Sequence, residues 1–141
     1  MKKVIAGVVI ACFTIGLTAF TAPVKETAAK SNMQNANKGK SIYAKTCIAC
    51  HQANGQGVPG AFPPLANSDY LNKDANRAIR TVLNGLSGEI TVNGKKYNAM
   101  MTSQGLTDEQ VADVLTYVYG NWGNSGKKVS PEMVKAQRGK K

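Results

Sequence analysis

Two cysteines and a histidine stand close together in the segment Cys47-Ile48-Ala49-Cys50-His51. The C-x-x-C-H spacing is the covalent attachment signature of a c-type haem. Two thiols at this spacing can add to the two vinyl groups of one porphyrin, and the adjacent imidazole then lies below the iron as its fifth ligand. Because His51 is the only histidine of the chain, the sixth ligand cannot be a second histidine, and the search turns to methionine.

Two other uses of a C-x-x-C pair match this sequence less well. A thioredoxin-like dithiol belongs to alternating strands and helices, and no such alternation surrounds Cys47 and Cys50. A structural zinc ion needs four ligands, and Cys12 is the only further cysteine. The motif therefore favours haem attachment.

The composition provides few large aromatic side chains to fill a core. The chain has 141 residues, which is enough for one small domain with extensions. It contains three Phe, five Tyr and one Trp, and both Phe13 and Phe20 lie in an apolar segment near the amino terminus. A domain of this size buries little apolar surface, so a covalently held macrocycle would supply the apolar centre that the side chains lack.

The amino terminus has the pattern of an export signal. Met1-Lys2-Lys3 precedes an uncharged, mostly apolar run, and residues 1–24 are predicted to be a secretory signal peptide or an uncleaved N-terminal membrane anchor. Both alternatives place the domain in the periplasm or on the outer face of the plasma membrane. The stretch Val9-Ile10-Ala11-Cys12 resembles a lipobox, which leaves lipidation of Cys12 as a further alternative.

Positive charge is concentrated towards the carboxyl terminus. The net charge is +10, and residues 125–141 hold six Lys or Arg against the single acid Glu132. This basic C-terminal tail is predicted either to contact an acidic protein or anionic lipid, or to be a solvated end. Export and the lack of interleaved aromatic residues argue against nucleic acid. Residues 25–35 are polar without an apolar period and are predicted to be a linker.

Helical periodicity surrounds the attachment motif. Small and apolar residues recur at spacings of three and four before Cys47, which predicts a helix that leads directly to the motif. Residues 52–65 are rich in Gly and Pro and are predicted to be a loop. Residues 69–73 are expected to form a short helical turn, and residues 74–84 a helix that stops at Gly85.

The second half of the chain carries stronger local signals. Asn93-Gly94, between alternating residues, predicts a small β-hairpin over residues 89–97. Thr107-Asp108-Glu109-Gln110 matches a capping box, and the apolar residues behind it predict an amphipathic helix that ends near residues 121–123. Ser130-Pro131 could open a further short helix in the tail.

With these elements in this order, residues 36–124 resemble a class I cytochrome c of the small bacterial monohaem kind. The resemblance implies a mainly α cytochrome c fold, with three to five helices around one covalently attached haem c and a small β-hairpin before the loop of the axial methionine. It also implies a close crossing of the first and last helices, in which Gly39 and Tyr43 would face Val114 and Tyr117.

The same resemblance gives candidates for the other haem contacts. Family members often carry Tyr-Asn-Gly-x-Met-Pro before the last helix, and this chain has Tyr97-Asn98-Ala99-Met100-Met101-Thr102, so Met101 matches the axial ligand and Met100 competes with it. A proline carbonyl that accepts a hydrogen bond from the axial histidine is matched by Pro63, with Pro64 as the alternative. The implied cofactor-binding residues are Cys47, Cys50, His51, Pro63 and Met101, of which His51 and Met101 bind iron.

Histidine and methionine together would leave no open position on the iron. This favours one-electron transfer, so the chain is predicted to be an electron carrier rather than an enzyme, alone or as the electron-transfer subunit of an oxidoreductase. The resemblance implies redox partners such as a periplasmic dehydrogenase, a nitrite reductase or a terminal oxidase of a respiratory chain. The alternative is a haem enzyme or gas-binding domain with a labile methionine, but no second histidine is present to act as acid or base.

Overall fold

Short helices joined by long loops make up most of the structure. The computed structural model describes residues 37–140, and within them there are six helices and one pair of antiparallel strands. The helices are α1 (residues 37–46), α2 (Ile48–His51), α3 (Asp69–Lys73), α4 (Ala75–Asn84), α5 (Asp108–Tyr119) and α6 (Pro131–Lys135), and the strands are β1 (Ile90–Val92) and β2 (Lys95–Tyr97). The prediction of a mainly α fold with a small hairpin is confirmed. Six helices rather than three to five result from the single turn of α2 and from α6 in the tail.

The amino-terminal predictions lie outside the described residues. These are the signal peptide or anchor at residues 1–24, the linker at 25–35 and the lipidation of Cys12. Among residues 37–140, no helix is long and apolar enough to cross a membrane.

Polar side chains fix where the two longest helices after the attachment motif begin. The Thr107 hydroxyl accepts the backbone N–H of Gln110 at 3.3 Å, and the Gln110 side chain accepts the N–H of Thr107 at 2.9 Å, so the predicted capping box is present. The Asp74 carboxylate caps α4 by accepting two backbone N–H groups of its first turn. Helix α5 ends before the predicted residues 121–123, because Trp122 adopts a left-handed backbone conformation with φ of 52°.

The hairpin lies where its sequence predicts. Ile90 pairs with Tyr97, and Val92 pairs with Lys95. Asn93 and Gly94 both have positive φ, which is the turn geometry that matches the twist of two antiparallel strands. Val92 and Tyr97 are buried, so one face of the hairpin closes one side of the interior.

Helices α1 and α5 touch closely. A Cβ atom on Gly39 would lie 2.7 Å from Cβ of Tyr117 and would also collide with the carbonyl oxygen of Asp113. The contact continues through three aromatic rings, since Tyr43 lies 5.7 Å from Tyr117 and 5.0 Å from Trp122 between ring centroids. The contact of Gly39 and Tyr43 with Tyr117 is therefore confirmed, and the backbone of Asp113 takes part in it.

The basic tail packs against the domain. Val129 and Val134 are buried in the same core as α5, and Thr116 Oγ1 on α5 both donates to and accepts from the backbone of Val129. The expectation of a solvated end is therefore wrong for this part of the tail, because its two valines contribute apolar surface to a small core. Arg138 also contacts Asp108 at 2.5 Å, at the beginning of α5.

We predict that Gly39→Ala destabilises the haem-loaded protein by about 2 kcal/mol, because the added methyl group overpacks the contact between α1 and α5. Alanine is the better helix former by up to about 1 kcal/mol, so intrinsic propensity alone gives the opposite sign. Denaturation in guanidinium chloride measures the difference. Ser41→Ala on the exposed side of α1 is the control and should change the free energy of unfolding by less than about 0.5 kcal/mol. A Gly39→Ala variant as stable as the control would contradict the crossing.

Candidate haem site

An apolar cavity of about 300 Å³ lies between the helices, the hairpin and the loop that follows it. Its size is at the lower end of the range for small-molecule and cofactor pockets. Most of its wall is aliphatic and comes from distant parts of the chain. The aliphatic residues of the wall include Leu65, Leu71, Val82, Leu86, Ile90, Val92, Val114, Leu115 and Val118.

The attachment motif forms one side of this cavity. Helix α1 leads into Cys47, whose backbone N–H donates to Tyr43 O at 2.9 Å, and the single turn of α2 follows directly. The backbone N–H of His51 donates to Cys47 O at 2.9 Å. Residues three and four apart share one helix face, and Cys47, Cys50 and His51 all line the cavity.

The two thiols are free and have different surroundings. Cys47 is partly buried and Cys50 is exposed. Burial raises the pKa of the Cys47 thiol and the nearby Cys50 raises it further, while Thr46 Oγ1, at 3.3 Å from the sulfur, acts in the opposite direction. A redox-active dithiol depends on a lowered pKa of its attacking cysteine, so this environment does not match that use.

His51 is held by the loop that the sequence predicts. Its Nδ1 lies 3.0 Å from the carbonyl oxygen of Pro63, and a carbonyl can only accept, so Nδ1 carries a proton. Burial lowers the pKa of His51, although the hydrogen bond to Pro63 partly opposes this shift. The contact at Nδ1 orients the ring and leaves Nε2 as the nitrogen that can bind a metal. Pro63 makes this contact, and Pro64 lines the cavity beside it.

The two candidate methionines differ in exposure. Both line the cavity, but the side chain of Met100 is 72% exposed, whereas Met101 is partly buried. The backbone of Met101 is fixed against Leu86, since each residue donates its N–H to the other's carbonyl, at 2.9 and 2.8 Å. Met101 therefore has the less exposed thioether and a backbone that is fixed by two hydrogen bonds.

Two contributors to the site were not singled out from the sequence. A Cβ on Gly57, where φ is +63°, would lie 2.7 Å from Pro63 O, so this glycine lets the chain pass beside the acceptor of the His51 hydrogen bond. The Gly and Pro content of the loop was the available signal. Leu86, which fixes the backbone of Met101, carries no recognisable local signal, because the two residues pair from distant positions.

The residues around the cavity fit a haem c. Two thiols, one imidazole and two thioethers line a cavity that is otherwise mostly apolar, as a macrocycle with an iron centre requires. Within residues 37–140, no group of three or more His, Cys, Asp or Glu side chains could hold a metal ion.

Comparison with known proteins gives a consistent result. The family model of cytochrome c matches residues 36–122. A cytochrome c-552 from Thermus thermophilus is 46% identical over 114 residues, which cover 73% of this chain and 86% of that protein.

In two more distant relatives, the segment that matches this chain is a small part of a longer chain. The cytochrome c subunit of a gluconate 2-dehydrogenase from Pantoea cypripedii is 32% identical over 116 residues, covering 78% of this chain and 26% of the subunit. The cytochrome subunit of a fructose dehydrogenase from Gluconobacter japonicus is 29% identical over 115 residues, covering 77% of this chain and 23% of that subunit.

We predict that Gly57→Ala raises the midpoint potential of the bound iron and lowers the free energy of unfolding by about 2 kcal/mol. The added methyl group displaces Pro63 O, and the weaker hydrogen bond makes the His51 ring less basic, which disfavours the ferric state. Gly60→Ala is the matched control, because Gly60 also has positive φ but a Cβ added there would meet no atom within 4 Å. Equal potentials in the two variants, measured by redox titration, would contradict this role of the Pro63 carbonyl.

Proposed function

Since this chain belongs to the cytochrome c family and is an electron carrier with a covalently bound haem c, we propose that its iron is held between His51 and Met101. The iron then supplies one-electron chemistry by cycling between its ferrous and ferric states. The observation that carries the proposal is the presence, on one apolar cavity, of an imidazole held at Nδ1 by Pro63 O and of a partly buried thioether.

Each protein group has a separate task in this proposal. Cys47 and Cys50 would hold the macrocycle covalently, and a single helical turn places His51 on the same side of the cavity as the two thiols. Pro63 O orients the imidazole through Nδ1. The two backbone hydrogen bonds with Leu86 orient the backbone of Met101. A neutral thioether ligand favours ferrous over ferric iron, in comparison with a second imidazole ligand.

The cavity is open to solvent at one side. Cys50 and Met100 line it and are both exposed. A redox centre that reaches the surface can exchange electrons through a small, short-lived contact with a partner, as weak redox complexes do. The aliphatic residues of the remaining wall exclude water from the metal side.

The partners and the compartment are part of the proposal. The sequence similarity to cytochrome subunits of fructose and gluconate dehydrogenases supports a dehydrogenase as a redox partner. A nitrite reductase or a terminal oxidase is proposed from the family resemblance alone. The pattern of residues 1–24 supports export to the periplasm or to the outer face of the plasma membrane. Cell fractionation with detection of the haem-linked chain tests export, and recovery from the cytoplasm alone would contradict it.

We predict that Met101→Leu opens the sixth position of the iron, whereas Met100→Leu does not. The ferrous Met101→Leu protein should bind carbon monoxide immediately on mixing, and its ferric form should lose the far-red absorption that a thioether ligand gives. The native protein and Met100→Leu should remain low-spin and unreactive, so these two substitutions are matched controls for each other.

The same experiment separates the competing assignments. The opposite pattern would identify Met100 as the ligand. A native protein that binds carbon monoxide at once would instead support a gas-binding domain or haem enzyme with a labile methionine.

A further inference from the structure

The residue that follows His51 has a strained backbone. Gln52 caps the single turn of α2 with a φ of 63° and a ψ of 163°, a combination that is essentially confined to glycine. Residues with a Cβ atom keep such a conformation only where several contacts hold them there, and such positions cluster at functional sites. The strain at Gln52 therefore indicates that the site requires a turn directly after His51.

Three hydrogen bonds hold the backbone of Gln52 in this conformation. Its N–H donates to Ile48 O at 2.9 Å, and its carbonyl oxygen accepts both the N–H of Gly55 at 3.1 Å and the hydroxyl of Tyr43 at 2.7 Å. The first two bonds are local. The third comes from α1, nine residues earlier in the chain, and is the shortest of the three.

Tyr43 is a fixed donor for this bond. It is 2% exposed, and its ring packs against those of Tyr117 and Trp122. Burial raises the pKa of Tyr43, so the hydroxyl keeps its proton around neutral pH. Because a carbonyl can only accept, the hydroxyl of Tyr43 donates to Gln52.

The turn at Gln52 sends the following loop back towards His51. The N–H of Gly57 donates to His51 O at 3.0 Å, and Pro63 O lies 3.0 Å from His51 Nδ1. Gln52 is the first residue of this reversal, and Gly55 and Gly57 share its positive φ. A change of Gln52 to an ordinary negative φ would move Pro63 O away from the imidazole.

The side chain of Gln52 does not account for the strained backbone. It is exposed, and the hydrogen bond that its amide donates within residues 37–140 is to Ala49 O at 3.3 Å, on the surface. The conformation of Gln52 therefore serves the path of the chain rather than a contact of the amide.

We propose that Tyr43 is a positioning residue for electron transfer, because its hydroxyl holds the strained backbone of Gln52 and thereby keeps Pro63 O on the imidazole of His51. Tyr43 does not line the cavity, so it acts on the potential of the iron through the backbone and without contact to the cofactor. The inference rests on His51 binding the haem iron, as proposed above, but it is independent of which methionine is the sixth ligand.

Haem-loaded Tyr43→Phe tests the proposal, since it removes the hydroxyl and keeps the ring. Gln52 then relaxes, Pro63 O draws back, and the His51 ring becomes less basic, which disfavours the ferric state. At a fixed electrode potential, the ferrous-to-ferric ratio should rise about threefold, less than the tenfold or more that follows loss of a direct partner of a metal ligand. The Nδ1 proton of His51, followed by NMR in the ferrous protein, should exchange with solvent about fivefold faster.

Tyr117→Phe is the matched control. Tyr117 belongs to the same group of three aromatic rings, but its hydroxyl makes no hydrogen bond within residues 37–140. Both substitutions therefore remove one hydroxyl from the same group of rings. Tyr117→Phe should keep the native ferrous-to-ferric ratio and the native exchange rate of the His51 proton.

Gln52→Gly separates strain from packing. Glycine adopts a positive φ without a Cβ penalty, so the equilibrium constant for unfolding should be about fivefold smaller than in the native protein. Gln52→Ala also removes the amide but keeps Cβ, and it should gain no stability. In the Gln52→Gly background the turn no longer needs the hydroxyl, so adding Tyr43→Phe should change neither the potential nor the exchange of the His51 proton.

Equal effects of Tyr43→Phe and Tyr117→Phe would overturn the proposal, because the effect would then belong to the aromatic group as a whole. A Tyr43→Phe effect that persists in the Gln52→Gly background would overturn it too, since the hydroxyl would not act through the strained backbone. If Tyr43→Phe does not accumulate, equal unfolding of Gln52→Gly and Gln52→Ala would still contradict the strain. A native ferric protein that is not low-spin would overturn the proposed iron ligands together with this inference, whereas the other outcomes overturn the inference alone.

Discussion

The close contact between α1 and α5 is the constraint on which the position of the haem site depends. Gly39 allows the backbone of α1 to approach Asp113 and Tyr117, and no larger residue fits there without movement. Because α1 continues into Cys47 without an intervening loop, the crossing also sets where the attachment motif lies. Helix α5 contributes Leu115 and other residues to the cavity wall. The contact between α1 and α5 therefore aligns the attachment motif with the cavity that receives the cofactor.

The site is built from one covalent element and several weaker ones. The motif brings both thiols and His51 together within a single turn. Backbone atoms of distant residues hold the two proposed iron ligands, Pro63 O for His51 and the Leu86 backbone for Met101. The first contact fixes the imidazole ring itself, whereas the second fixes only the backbone of Met101. Most of the cavity surface is apolar, and Arg77 is the one arginine of the described residues that lines it.

Features encoded within a few residues could be predicted from the sequence, and those that depend on distant pairing could not. The haem motif, the capping box at Thr107 and the turn at Asn93-Gly94 each rest on hydrogen bonds or covalent chemistry within five positions. The packing of Val134 was missed because α6 is too short to show a periodic apolar face. Arg77 was not singled out from the sequence, because only the placement of α4 in the fold brings it to the cavity.

The central claim is that His51 nitrogen and Met101 sulfur hold the iron from opposite sides in both oxidation states. X-ray absorption at the iron edge of the purified haem-loaded protein tests this claim most directly, because it counts the sulfur and nitrogen neighbours without removing any residue. The account predicts five nitrogen neighbours and one sulfur neighbour in the ferrous and the ferric protein alike. A first shell without sulfur, or one that loses its sulfur on oxidation, would contradict it.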